Sequence, residues 1–171
     1  MFSLSKRQKK YIFLQQTAVG VIMNMIMNAV MGWVTFKSAK TLSLWGENCF
    51  AIDLIMTTFM TVFMTSLLVS KMTHKTVLNG KQEPIDSEKL HALLRKSKPA
   101  PFLGSLLLAI IITTVFIPTL FWLLEFINAT VLSLKSYIII KALYAAFLAM
   151  IFTPISVILA MSETKFLKKN E

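Results

Sequence analysis

The sequence predicts an all-α protein, an integral membrane four-helix bundle built as two tandem helical hairpins. Three observations point there. First, the 171 residues are 56% hydrophobic and only 15% charged, with a mean hydropathy of +0.67. A water-soluble domain carries about a quarter charged residues. Second, the apolar residues fall in four blocks, about 11–36, 49–70, 102–124 and 137–161. A helix needs roughly 20 residues to cross a bilayer, so each block is long enough. Third, the formal net charge of +10 is concentrated outside the blocks, on one side of the expected topology.

Lys6, Arg7, Lys9 and Lys10 precede the first block. Lys71, Lys75, Lys81, Lys89, Arg95, Lys96 and Lys98 lie between the second and third, and Lys165, Lys168 and Lys169 follow the fourth. The other two loops carry only Lys37, Lys40 and Lys135. Positive charge stays on the cytoplasmic side, so both termini and the central segment are expected inside. Such a face suits anionic lipid headgroups. That explains the charge better than nucleic-acid binding, and no nucleic-acid partner is expected.

In the first hairpin, the basic start and apolar run resemble a signal peptide. The run is about twice the usual length and has no small-x-small cleavage site, so an uncleaved first span is expected. Within it, Gln16, Gly20, Asn24, Asn28 and Gly32 recur every four residues along one ridge. Small and amide side chains in a membrane helix allow close approach and hydrogen bonding between helices. The ridge either packs against a neighbour or lets Asn24 and Asn28 line a polar path. The second span begins "CFAIDLIMTT" and repeats the device, with Asp53, Thr57, Thr61 and Thr65 at four-residue steps. A threonine can bond its own backbone one turn back, so this ridge need not be wet.

The segment 71–101 is expected as a basic cytoplasmic linker. Within "EPIDSEKLHALLRKSKPAP", Asp86 or Ser87 can cap a helix whose stripe is Leu90, Leu93 and Leu94. An interfacial helix over 86–97 is the preferred reading, against a solvated linker with partial helicity. Pro99 and Pro101 stop it before the third span.

The second hairpin carries Pro118 and Pro154 inside its spans, where each frees a backbone carbonyl and can kink its helix. Sliding "CFAIDLIMTTFMTVFMTSLLV" by 88 positions lays it on "YIIIKALYAAFLAMIFTPISV", whereas the loop match of "TLSLWG" with "TVLSLK" needs a shift two residues larger. Asp53 then falls opposite Lys141, each about one turn from the outer end of its helix. Charges inside a membrane pair with one another, so each is the other's most obvious partner. Glu125, at the outer end of the third span, competes for Lys141. Trp33, Trp45, Trp122 and Tyr137 are expected in an outer aromatic belt, with Tyr11 at the inner boundary.

Catalytic and metal chemistry find little support. The single Cys49 excludes an internal disulfide, and His74 and His91 lack further ligands at metal spacing. The eleven methionines read as adaptable packing rather than copper handling. No phosphate loop, nucleophile–base set or catalytic carboxylate pair is present, so no enzyme and no cofactor are expected.

The Met/Asn-rich first helix, the outer "LSLW" and the early charge in the second helix resemble small bacterial inner-membrane proteins built from tandem two-helix units. That resemblance covers both hairpins and implies a multi-pass inner-membrane location with no assigned activity. The architecture is also similar to the proteobacterial antimicrobial compound efflux family. Its signatures, an acidic residue in the first helix and Tyr-Asn/Asp motifs in the second, are missing here, so efflux does not carry over. The expected function is a non-catalytic membrane protein that binds a partner, with Asp53–Lys141 as a structural clasp. The competing expectation is a small ion-coupled transporter or permease subunit, a homodimer, using Asp53. Its polar site would be Asp53, Lys141, Asn24, Asn28, Thr57, Thr61 and Glu125.

Overall fold

A computed structural model of the chain describes residues 4–85 and 101–169. Four helices form it: Lys6–Phe36, Ala51–Leu78, Pro101–Phe126 and Leu134–Lys169. All four are long and apolar enough to cross a membrane. Each of the four extends past its expected apolar block. The second continues through Leu78, into the stretch expected as linker. Hydropathy marks the part of a helix suited to hydrocarbon, whereas helical backbone continues into polar flanks. The expected interfacial helix over 86–97 lies outside the described residues.

Local signals set the helix ends. Ser5 caps the first helix in a reciprocal box: its hydroxyl accepts from the Gln8 backbone N–H, and the Gln8 side chain accepts from the Ser5 N–H. Residues Lys10–Ala18 of this helix are π-wound, and the Thr17 hydroxyl bonds the Ile12 carbonyl five residues back. The second helix ends at Gly80, whose φ of +70° only glycine adopts freely. Lys81 N–H bonds the Thr76 carbonyl and Gly80 N–H the Val77 carbonyl, which satisfies the last turn. Asn128, at φ +55°, closes the third helix in the same way.

The helices alternate in direction. The turns of both hairpins lie at one end, where β1 (Thr41–Ser43) and β2 (Val131–Ser133) pair antiparallel. Leu42 faces Leu132 at the centre of this ribbon. At the opposite end Tyr11 Oη lies 3.4 Å from Thr73 Oγ1, and Ile85 N–H bonds the Met161 carbonyl. The second and fourth helices pack against each other through the middle. The first helix lies mainly on the fourth and the third mainly on the second, so each hairpin leans on the other. This arrangement buries the second and fourth helices and leaves broad apolar faces on the first and third.

The aromatic expectations divide. Trp33, Trp45 and Trp122 are each more than half exposed around the turn end. Tyr137 is fully buried and is not part of a belt; Phe36 and Phe50 pack on its ring. Tyr11 is buried as well. The methionines at 23, 27 and 31 and at 56, 60 and 64 face outward along two helices.

Candidate functional site: a charged clasp in the core

The site is centred on Asp53, in the first turn of the second helix. Unpaired backbone N–H groups there carry partial positive charge and favour a carboxylate. Lys141 lies about two turns inside the fourth helix, not one, because that helix begins at Leu134. Its ammonium nitrogen stands 2.5 Å from Asp53 Oδ2. Lys141 is 2% exposed, so its charge is compensated inside the protein rather than by water. Tyr137, one turn before Lys141 on the same helix face, donates its hydroxyl to that same oxygen. Asp53 is thus held by an ammonium and a phenol, both from the other hairpin.

Neighbouring residues pack closely on Lys141 and Tyr137, while the Asp53 side chain stays 17% exposed. Gly32 of the first helix lies where the Lys141 alkyl chain passes; a Cβ there would stand 3.2 Å from Lys141 Cδ. Leu42, Leu44, Phe50 and Leu54 are buried around Tyr137 at the turn end. A low-dielectric surround strengthens the ion pair and makes either charge costly alone.

Below the clasp, toward the basic end, amides join the first and second helices. The Asn28 amide donates to the Asn24 carbonyl and, at 3.5 Å, to Thr61 Oγ1. The Asn24 amide donates to the Gly20 carbonyl at 2.8 Å and to Thr65 Oγ1 at 3.2 Å. Each asparagine therefore spends one N–H on its own helix and one on a threonine across the interface. Thr57 is buried on the same ridge. Glu125 stands apart: its carboxylate accepts from the Trp45 indole N–H, and Lys141 bonds Asp53 instead.

Three inter-hairpin contacts involve residues beyond the expected site. Tyr137 had a usable signal, its four-residue spacing from Lys141. Tyr144 shares a 2.8 Å hydrogen bond with Thr58 between the second and fourth helices. The Ser66 and Ser156 hydroxyls lie 2.9 Å apart. Ser66 and Ser156 are 90 positions apart, as are Leu42 and Leu132, whereas Asp53 and Lys141 are 88 apart. The hairpins therefore meet with the loop's offset at the ribbon and at the Ser66–Ser156 contact in mid-helix, and with the smaller one at the clasp.

Replacing Tyr137 with Phe should leave the fold intact and lower its stability by about 1.5–3 kcal/mol, the range for hydrogen bonds to charged groups. Thermal unfolding in detergent measures it, and a loss below a few tenths would mean that the phenol does not support Asp53.

Fold and site together define a four-helix bundle whose hairpins are locked by a buried carboxylate–ammonium–phenol cluster. No protein-family model, curated protein or solved structure matches the chain.

Proposed function

We propose that this is a multi-pass bacterial inner-membrane protein without catalytic activity, which acts by binding a partner and uses Asp53–Lys141 as a structural clasp. The basic residues that flank the spans support cytoplasmic termini and a cytoplasmic central segment. The observation that carries the reading is the occupancy of Asp53. Its Oδ2 already accepts from Lys141 and Tyr137, and Gly32 packs beside the lysine chain. A coupling carboxylate in a transporter must exchange its partner for a cation or proton, and the bonds from a buried ammonium and a buried phenol oppose that exchange. The broad exposed faces of the first and third helices support contact with a partner as well as with lipid.

Replacing the trio together, with Asp53→Leu, Lys141→Met and Tyr137→Phe, tests this. An apolar replacement of a buried ion pair is often neutral or stabilising when packing is kept. The variant should fold, and photo-cross-linking from the first helix in native membranes should capture the same partner as the natural chain. Proteoliposomes carrying an imposed proton or sodium gradient should show no flux with either protein. Flux through the natural protein that the variant lacks would replace this reading with ion-coupled transport.

A further inference from the structure

At the basic end, a cleft of about 520 Å³ opens between the first and second helices. Arg7, Lys10, Tyr11 and Gln15 line it from the first helix, and Thr76, Lys81 and Gln82 from the end of the second. Among the described residues, three cations and no carboxylate therefore face one cavity. From this cleft we propose a binding site for one phosphatidylglycerol molecule, an inference that rests on the membrane reading above.

The cleft is built by local structure rather than by chance proximity of flexible lysines. Gly80, in its left-handed conformation, reverses the chain so that Lys81 and Gln82 return across the helix end. The Arg7 guanidinium fixes that return by donating Nη2 to the Lys81 carbonyl at 2.7 Å. This bond uses one of the five guanidinium N–H groups, which leaves the planar fork able to meet a phosphate. Tyr11 is buried and bonded to Thr73, which gives the cleft a rigid wall.

Two features select this lipid. Gln82 Oε1 is buried and has no partner among the described residues. A buried acceptor without a donor is costly, and because Gln82 lines the cleft, a small turn of its side chain would let a headgroup glycerol hydroxyl supply the donor. An ethanolamine ammonium could also donate, but it would stand among three cations, and that repulsion disfavours it. Deeper along the same helices, Phe13, Leu14, Leu68 and Met72 are each more than half exposed and apolar. They supply exposed apolar surface on the cleft's own two helices for the acyl chains of a bound lipid.

Native mass spectrometry of the delipidated full chain, titrated with phosphatidylglycerol or phosphatidylcholine, tests the site. One phosphatidylglycerol should bind with about tenfold or greater preference. Lys10→Gln with Lys81→Gln, which keeps the Arg7 bond to the Lys81 carbonyl, should remove most of that preference. Gln82→Leu should lower phosphatidylglycerol affinity and leave phosphatidylcholine unchanged. Lys37→Gln with Lys40→Gln, the same charge change at the other end, should have no effect. Equal binding of the two lipids, or a preference that survives the cleft substitutions, overturns the proposal. So does displacement of the lipid by millimolar inorganic phosphate, which would make the cleft a site for a soluble anion. Carbonate extraction separates the two levels: a chain washed from the membrane sinks the membrane reading itself, whereas a retained chain without lipid preference sinks only the site.

Discussion

Asp53→Asn or Lys141→Gln alone should destabilise the protein by about 3–5 kcal/mol, the usual cost of leaving one charge of a buried pair uncompensated. The two losses should not add. In the double variant two neutral amides can bond each other and Tyr137, so much of the stability should return. The exchanged pair, Asp53→Lys with Lys141→Asp, should recover less, because a lysine in the first turn of the second helix opposes the helix dipole. A thermal double-mutant cycle in detergent measures the coupling. Additive losses would mean that the two residues act separately, despite their 2.5 Å contact. A neutral or stabilising Asp53→Asn would remove the clasp from the account of the fold.

Gly32→Val should be among the most damaging single changes that alter no charge. A Cβ at Gly32 would already stand 3.2 Å from Lys141 Cδ, 3.7 Å from Ile138 Cγ1 and 3.9 Å from Tyr137 Cε1. Valine adds two methyl groups to that contact, and overpacking of this kind costs about 1–3 kcal/mol. The first helix must then move off the fourth or push the lysine from its carboxylate. Met31→Val, one residue away on an exposed face, should change stability by less than about 0.5 kcal/mol. Cysteine cross-linking between positions 28 and 61, where Asn28 now meets Thr61, reports the displacement directly. Unchanged cross-linking and stability in Gly32→Val would show that the close approach is not needed.

The features most legible in the sequence were those governed by spacing. Four apolar blocks gave four helices, and an offset of 88 brought Asp53 to Lys141 before any contact was known. The four-residue ridges singled out Asn24, Asn28, Thr61 and Thr65, but did not show that the asparagines meet the threonines. What spacing could not supply was the order of packing. Nothing in the apolar pattern distinguishes a first helix that lies on its own hairpin partner from one that lies on the fourth. Tyr137 was misplaced for a related reason: an aromatic ring near a span end suits a belt and a core equally, and only the neighbouring Phe36, Phe50 and Asp53 decide. Two residues of offset separate the clasp from the ribbon, and that shift became meaningful only when Leu42 was found opposite Leu132.

The leaning of each hairpin on the other has a consequence for biosynthesis. The carboxylate of Asp53 leaves the ribosome 88 residues before the ammonium that will neutralise it. At about 5–20 residues per second, that interval is roughly 4–18 s. Through this window the first half of the chain has neither its charge partner nor the helix on which its first span rests. A nascent chain stalled before Lys141 would therefore carry an unneutralised acid and an undocked helix. Synthesis of the fourth helix resolves both, so that helix commits the first half of the chain to the folded state.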